Sequence, residues 1–400
     1  MKETKLRYLF MTNLVILFVG YGLLPFLPLY AMEYGASTGT IGLYLGLTYV
    51  AISTGSMLPS WLPERVSRKK LFLASALLGT PSLFLLGIAT EFWQVMLLTA
   101  ALWFSGGVGL ALSSVYTGLL SRQQQRGRSF SHVALSTPIA SLMGGFLVGQ
   151  LITWQSYRFM FTVVSAWWII LPLVVIFKLD EVRVEKPGQP DTAPSAPSST
   201  PSFLLLLLAA LLAAGTVSLG RMGASLAMEA RSFSPADVGN TTAIAGAVMI
   251  PVVLLMGALS DRMGRQRFLL LGYLLTAAGA AALTVSGQLW HFWVAMSLLM
   301  TGRTVNDSMA GAVATDLLPR AAVQRGLPRL KAMNWVAGIA SFAGGGYAIQ
   351  ALGLSTVFLV GAVVALVAAG AISFLPARPV EESLAPAVLP VVQKPAASRL

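Results

Sequence analysis

The chain has 400 residues, of which 56% are hydrophobic and only 10% are charged. Because a soluble domain carries about 25% charged residues, this composition excludes an ordinary soluble protein and indicates a membrane protein. The net charge of +12 does not require a nucleic-acid partner, because membrane proteins concentrate Lys and Arg in their cytoplasmic segments. Of the 27 Lys and Arg, all but four lie in the segments that we place in the cytoplasm; the four are Arg158, Arg221, Arg231 and Arg303. The chain has no cysteine, which excludes disulfides and Cys-ligated metals.

About 20 apolar residues cross a bilayer as one helix, and runs of that length recur along the whole chain. We predict twelve membrane-spanning helices and number them as the first to the twelfth span. Basic residues at both ends of the chain, with an even number of spans, place both termini in the cytoplasm. The predicted spans are Tyr8–Tyr30, Ile41–Leu62, Leu71–Ala89, Trp93–Leu119, Phe130–Ile152, Phe159–Leu179, Phe203–Met228, Val238–Ser260, Phe268–Ser286, Trp290–Leu317, Ala332–Leu352 and Ser355–Phe374.

The composition changes between the sixth and seventh spans, where residues 180–201 are rich in Pro, Ser, Glu and Lys. Such a segment predicts a flexible cytoplasmic linker. The predicted domains are therefore a six-helix bundle at 1–179 and a second six-helix bundle at 202–378. A similar composition at 379–400 predicts a disordered cytoplasmic tail.

A short basic turn joins the eighth and ninth spans at Gly257–Arg267, and a related stretch lies 197 residues earlier. The same offset aligns Trp93 with Trp290 without a gap. A repeat of half the chain predicts two similar bundles rather than a solenoid. The aligned residues are Ser60, Glu64, Arg65, Ser67, Arg68, Lys69 and Lys70 in the first copy, and Gly257, Asp261, Arg262, Gly264, Arg265, Gln266 and Arg267 in the second.

The Gly257–Arg267 turn matches the loop signature of the major facilitator superfamily at nearly every defining position, and the chain resembles that family over essentially its full length. The first copy departs from the signature, because Ser60 and Ser67 replace glycines and Glu64 replaces an aspartate. The resemblance implies an all-α membrane protein of twelve helices in two pseudo-symmetric six-helix bundles, with both termini in the cytoplasm.

Within this family, the first span is similar to that of the drug:proton antiporters, through Gly20, Pro25 and Pro28. The fifth span lacks the central Gly-Pro of that branch, and the first span carries no acidic residue. The resemblance is therefore closer to the superfamily than to the branch.

The basic turns are candidate conformational latches. An acid such as Asp261 at the C-terminal end of a helix opposes the dipole of that helix, so we expect it to reach the N-terminus of another helix or Arg265. A contact that forms in only one conformation would latch the two states of a transporter. The alternative is that these charges only follow the distribution that topology requires. The candidate latch residues are Gly257, Asp261, Arg262, Gly264, Arg265, Arg267, Glu64, Arg65 and Arg68.

Ionisable residues inside the membrane are energetically costly and are therefore functional candidates. Arg303 and Asp307 are four residues apart on the tenth span, so they share one helix face and can pair. Asn306 adjoins them, Arg221 lies in the seventh span and Asn13 lies in the first. We assign these five residues to proton coupling or substrate binding.

The resemblance implies a central cavity lined chiefly by the first, fourth, seventh and tenth spans. We expect Asp307 to be the proton-coupling or substrate-sensing acid, with its protonation controlled by Arg303, because an adjacent Arg disfavours protonation whereas desolvation favours it. The alternative is a permanent structural ion pair. For His132 and Asn334 we expect local hydrogen bonds near helix ends.

The N-terminal half of the expected cavity is aromatic rather than charged. Its candidate lining residues are Tyr21, Trp103, Phe104 and Tyr116. This division between aromatic and charged residues suits an amphipathic substrate. The alternative is that these rings pack in the core or anchor the helices at the membrane interface.

No catalytic constellation is present in the sequence. There is no phosphate-binding loop, and His132 and His291 lie far apart without metal-ligand spacing, so we expect neither enzyme activity nor a metal. We predict a secondary active transporter that needs no cofactor, takes its energy from a proton gradient and works by alternating access. We expect it to export a small amphipathic molecule or drug.

Two other functions stay open on the sequence. The first is uptake or facilitated transport of an organic anion, favoured by Arg221 and Arg303. The second is a transporter-like sensor that no longer cycles, favoured by the altered first loop. In each case the expected partners are a small molecule and membrane lipids, with no nucleic acid. We expect a monomer with multiple spans in a bacterial inner membrane.

Overall fold

A computed structural model describes residues 2–62, 66–120, 133–181, 200–318 and 320–375. These residues form α-helices joined by short turns, and the described ranges contain no strand. The all-α prediction is confirmed. In chain order the helices are α1 (Lys2–Leu23), α2 (Leu27–Glu33), α3 (Thr38–Trp61), α4 (Arg68–Leu86), α5 (Phe92–Leu120), α6 (Ser136–Trp154), α7 (Tyr157–Trp168), α8 (Ile170–Lys178), α9 (Pro201–Glu229), α10 (Pro235–Met263), α11 (Arg265–Thr284), α12 (Leu289–Leu317), α13 (Arg320–Leu352) and α14 (Leu354–Ser373).

Two predicted spans are each divided into two helices. The first span becomes α1 and α2, with Pro25 in the turn between them. The sixth span becomes α7 and α8, which meet at Ile169. Pro172 explains this second break, because proline has no N–H to donate to the carbonyl of Trp168.

Within the described residues, ten segments are long and apolar enough to cross a membrane. The helices α12 and α13 are 29 and 33 residues long but are not among these ten. Polar residues explain the difference: α12 carries Arg303 and Asp307 near its middle, and α13 begins with a basic stretch that includes Arg329 and Lys331. Twelve spans and cytoplasmic termini therefore stay predictions.

We call residues 2–181 the N-terminal half and residues 200–375 the C-terminal half. The same kind of contact recurs in both halves at the position of the basic turns. Lys69 Nζ donates to the carbonyl of Ile176 at 2.9 Å, and Gln266 Nε2 donates to the carbonyl of Ile372 at 3.0 Å. The offset of 197 residues aligns Lys69 with Gln266, so each basic turn is tied to the last helix of its own half.

The end of the molecule that carries these basic turns is called the basic end, and the other is called the opposite end. Towards the opposite end, α3 packs on α13 and α6 packs on α10, so that each pair joins the two halves. A methyl group on Gly42 would lie 2.7 Å from the Cα of Gly346, and one on Gly145 would lie 2.7 Å from the carbonyl oxygen of Gly239. Small residues therefore allow these helices to approach backbone to backbone.

Hydrogen bonds also join the halves at the opposite end. The backbone N–H of Gly39 donates to Gln350 Oε1 at 3.0 Å, and that of Ala236 donates to Thr153 Oγ1 at 3.0 Å. Together with the glycine contacts, these bonds hold the opposite end closed in this conformation.

Candidate functional site

A cavity of about 150 Å³ lies between the two halves near the middle of the bundle. It is formed by residues of α1, α3, α5, α7, α9, α12 and α13, so the second, sixth and eleventh spans contribute as well as the four expected ones. Because most of its wall is aromatic or aliphatic, we call it the aromatic cavity. Its lining includes Ile16, Tyr21, Tyr49, Ile52, Trp103, Leu110, Trp168, Arg221, Arg303 and Trp335.

The rings of the aromatic cavity are held in fixed orientations. The indole N–H of Trp168 donates to the carbonyl of Ala76 at 2.9 Å. Tyr49 meets Trp335 edge to face, with ring centroids 6.0 Å apart, and also packs against Phe342 at 4.8 Å. Such edge contacts are favourable between aromatic rings. The cavity therefore offers a preformed apolar surface that touches both halves.

A second compartment lies nearer the opposite end and is almost closed, with a volume of about 20 Å³. Four methionines contribute to its wall, so we call it the methionine compartment. Methionine side chains are flexible and fill irregular gaps, which suits a wall that changes shape. Tyr21 and Arg221 line both the aromatic cavity and this compartment. The methionines are Met222, Met228, Met296 and Met300.

Asp307 is the centre of a polar cluster on the wall of the C-terminal half. Arg303 Nε lies 3.4 Å from Asp307 Oδ2, and Asn334 Nδ2 of α13 donates to Asp307 Oδ1 at 3.2 Å. The side chain of Asp307 is 48% exposed and that of Arg303 is 29% exposed. The expected local hydrogen bond of Asn334 is therefore replaced by a bond between two helices, and solvent reaches the carboxylate.

Arg221 makes its contacts with aromatic rings instead. Its Cζ lies 5.3 Å from the ring centroid of Tyr21, a residue of the N-terminal half. A guanidinium at this distance from a ring is attracted to its π face. This contact joins α9 to α1 and separates the aromatic cavity from the methionine compartment.

Two further predicted site residues lie outside the lining of both compartments, as Asp307 does. Asn306 is 8% exposed and donates to Thr276 Oγ1 of α11 at 3.3 Å. Asn13 donates to Ser136 Oγ at 3.0 Å and so joins α1 to α6. In this conformation both amides make hydrogen bonds between neighbouring helices of one half.

Of the four aromatic residues that were predicted to line the cavity, two do so and two do not. Tyr21 and Trp103 line the aromatic cavity, whereas Phe104 and Tyr116 do not. Tyr116 is 1% exposed and its hydroxyl donates to the carbonyl of Asp180 at 3.1 Å. The alternative interpretation, packing in the core, therefore describes Tyr116.

The family model of the major facilitator superfamily matches residues 9–226 and 206–398, which together include most of the chain. The chain belongs to the major facilitator superfamily. The family and the fold are those of transporters, and the chain is accordingly a multi-span membrane transporter.

Several bacterial relatives of this major facilitator are named as a multidrug efflux pump or as multidrug resistance proteins. A multi-drug resistance efflux pump PmrA homolog of Lactococcus lactis is 27% identical over 182 residues, which is 44% of this chain and 45% of that protein. The multidrug resistance protein MdtG of Salmonella choleraesuis is 24% identical over 63% of this chain and 66% of that protein, and MdtG of Proteus mirabilis is 25% identical over 74% and 76%. The chain thus matches less than half of the first relative and about two thirds of the second.

Solved structures of the same fold include peptide transporters. A POT family transporter in complex with 5-aminolevulinic acid has a TM-score of 0.74 at 13% identity, covering 92% of this chain and 95% of that one. The peptide transporter POT in complex with sulfate has a TM-score of 0.71 at 14% identity, covering 92% and 94%. At these identities the likeness establishes the fold.

The second basic turn of this major facilitator contains a glycine at the boundary between two helices. Gly264 separates α10 from α11 and has φ of 82°, in the left-handed region that favours glycine. Arg265 Nη1 pairs with Asp316 Oδ1 at 2.8 Å, whereas Asp261 is exposed. The expected contact between Arg265 and Asp261 is thus not the one formed here. The observed pair joins α11 to α12 within one half, so it cannot by itself latch the two halves.

The first basic turn is only partly described. Glu64 and Arg65 lie outside the described residues. The guanidinium of Arg68 donates to the carbonyl of Pro59, and its backbone N–H donates to Glu181 Oε1 at 3.0 Å. Glu181 thus lies at the N-terminus of α4, where the helix dipole stabilises an acid. The described part of this turn therefore binds within the N-terminal half.

Two acids end helices of different halves at the opposite end: Glu33 ends α2 and Glu229 ends α9. Desolvation, and then the nearby Glu229 carboxylate, raise the pKa of Glu33 from its ordinary 4.5. Protonation of Glu33 therefore requires less acidic conditions in this closed arrangement than in the unfolded chain. The stability that this proton contributes is present below pH 4.5 and is lost as the pH rises through the raised pKa.

We expect Glu33→Gln to remove part of the pH dependence of stability, because an amide does not titrate. The measurement is the thermal unfolding of the purified protein at pH values from 4.5 upward, where the wild type should lose more stability than the variant. Glu91→Gln is the control, since Glu91 is another exposed acid at the opposite end. Identical pH profiles for the wild type and Glu33→Gln would contradict the expectation.

Proposed function

We propose that this protein exports small amphipathic molecules in exchange for protons, by alternating access between its two halves. The observation that carries the proposal is a solvated carboxylate, Asp307, held by Arg303 and Asn334 beside an aromatic cavity. The names of the bacterial relatives support the direction of transport and the class of substrate. We place the protein in a bacterial inner membrane, as a monomer powered by the proton gradient and without a cofactor.

The contacts of Asp307 give a physical basis for proton coupling. The carboxylate accepts from Arg303 and from Asn334, which lie on different helices. Protonation would neutralise the carboxylate, weaken the ion pair and leave one oxygen carrying a proton. The contact between α12 and α13 would thus differ between the two protonation states, as a proton-driven conformational change requires.

The conformation favours exchange of a proton for a substrate. With the opposite end closed, Asp307 is in contact with solvent from the basic end, which we place in the cytoplasm. In this state Asp307 releases its proton and the substrate enters the aromatic cavity. After the halves rock, the basic end closes, the substrate leaves on the far side and Asp307 takes up a proton there. One turnover therefore moves a proton in and a substrate out.

The proposal is tested in liposomes that contain the purified full-length protein. A lipophilic fluorescent dye should accumulate against its gradient only when a pH gradient is applied, and an uncoupler should abolish the accumulation. Dye movement that ignores the pH gradient would contradict proton coupling. Gradient-driven movement of organic anions towards the cytoplasmic side would support uptake, and the absence of any flux would support a non-cycling sensor.

We expect Trp335→Ala to weaken the binding of a lipophilic substrate roughly tenfold, about 1.4 kcal/mol. Trp335 presents an aromatic wall to the cavity and orders the ring of Tyr49, so both surfaces are affected. The measurement is the dye concentration that gives half-maximal transport in the liposomes. Trp290→Ala is the control, because Trp290 is 54% exposed at the opposite end and lies outside the cavity. An equal effect of the two substitutions would contradict the placement of the substrate.

A further inference from the structure

Arg221 and Arg303 line the same aromatic cavity but differ in their partners. Arg303 lies 3.4 Å from the carboxylate of Asp307. Among the described residues, no Asp or Glu side chain forms an ion pair with Arg221. The electrostatic neighbours of Arg221 include Tyr21, Tyr49 and the positive charge of Arg303. The wall of the cavity thus carries two positive charges, and the one negative charge paired with them, that of Asp307, lies beside the wall.

The surroundings of Arg221 make the missing counter-charge significant. Its guanidinium lies between the aromatic cavity and the methionine compartment, both of which are largely apolar. A cation in such a setting is costly unless it is paired. The ring of Tyr21 compensates only part of this cost. A ring face attracts a cation, but less strongly than a carboxylate does. The guanidinium retains a planar set of N–H donors that matches the two oxygens of a carboxylate.

We propose that Arg221 binds the carboxylate head group of the exported substrate, whose lipophilic body lies in the aromatic cavity. The substrate class is then anionic amphiphiles rather than lipophilic cations. This inference rests on the proposed function, since it concerns the same cavity, and it divides the two arginines by role. Arg303 is paired with the coupling acid, and Arg221 is available to the substrate.

The methionine compartment explains how a bound anion could pass Arg221. This compartment continues from Arg221 towards the opposite end but holds only about 20 Å³ in this conformation. When the opposite end opens, the flexible methionine side chains can move aside and admit the lipophilic body. The contact between Arg221 and Tyr21 joins the two halves, so it is exchanged for new contacts in the same step.

The test compares three probes that share one aromatic body: naphthylacetate, naphthylacetamide and naphthylethylamine, which are anionic, neutral and cationic. Their affinities for the detergent-purified full-length protein are measured by titration calorimetry. The wild type should bind the anion at least about tenfold more tightly than the other two. Arg221→Gln should lose this preference, with the amide affinity unchanged, and Arg221→Lys should keep part of it. Arg231→Gln, the matched control near the end of α9, should behave as the wild type does.

Equal affinities of the wild type for the three probes, or a preference for the amine, would overturn the proposal. This result needs only the wild-type protein, so the test is decisive even where a variant fails to fold. A similar loss of affinity for all three probes in a folded Arg221→Gln protein would also overturn it, because Arg221 would then only support packing. If the anion preference holds while the liposomes show no proton-driven flux, the proposed function fails and only the assignment of Arg221 as an anion-binding residue stands.

Discussion

Replacing Asp307 with Asn is expected to abolish accumulation driven by a pH gradient while substrate exchange across the liposome membrane continues. The amide has the shape of the carboxyl group and can still accept from Asn334 through its oxygen. It carries no titratable proton, so the two conformations no longer differ in protonation. Coupling between linked sites is typically 1–3 kcal/mol, which corresponds to a roughly 5- to 150-fold effect of protonation on substrate affinity. The variant should lose this pH dependence.

The control for Asp307→Asn is Asp316→Asn, nine residues further along α12, where the acid pairs with Arg265 on the surface. An exposed pair of this kind contributes at most about 1 kcal/mol, so transport should remain coupled in the control. The same pair of variants decides between coupling and a permanent structural bridge. If Asp307→Asn lowers the unfolding temperature and reduces driven transport and exchange alike, the ion pair is structural and the coupling role is wrong.

Gly42→Val is expected to reduce transport to less than about a tenth of the wild-type rate, because the opposite end can no longer close. A side chain at Gly42 would meet the backbone of α13, at 2.7 Å from the Cα of Gly346 and also at the carbonyl of Phe342. Backbone atoms cannot rotate away as a flexible side chain can. The two helices must therefore separate, and the closed conformation is destabilised relative to the open one.

The matched control is Gly344→Ala on α13, where an added methyl group meets no atom within 4 Å. Its transport should be close to that of the wild type. The accessibility of Gln350 distinguishes a block in one conformation from misfolding: Gln350→Cys should react faster with a water-soluble thiol reagent in the Gly42→Val background. Normal transport by Gly42→Val would mean that this close contact is not needed in any step.

The parts of the fold that depend on local sequence could be predicted. Runs of apolar residues located the spans, and the spacing of Arg303 and Asp307 placed both on one helix face. The start of α13 could not be predicted in this way. The predicted eleventh span begins at Ala332, whereas α13 begins at Arg320. Its basic first turns lack an apolar run, but arginine, lysine, leucine and alanine are good helix formers outside the membrane.

The parts of the site that depend on contacts between helices could not be predicted. Tyr49 and Trp335 carry no signal in the sequence, since aromatic residues on membrane helices more often pack or anchor at the interface. The bond from Asn334 to Asp307 depends on how α12 and α13 are placed against each other, which no local pattern specifies. The same limit applies to Arg265, because its partner Asp316 lies 51 residues away in the sequence.

During transport, the two halves are expected to alternate between closure at the opposite end and closure at the basic end. The absence of native cysteine allows a direct test with Thr153→Cys and Ala236→Cys, which replace residues joined by a hydrogen bond of 3.0 Å across the closed end. Transport is measured in liposomes before and after oxidation to the disulfide, and again after reduction. The disulfide is expected to stop transport, and reduction is expected to restore it. Undiminished transport by the oxidised protein would contradict alternating access at this interface.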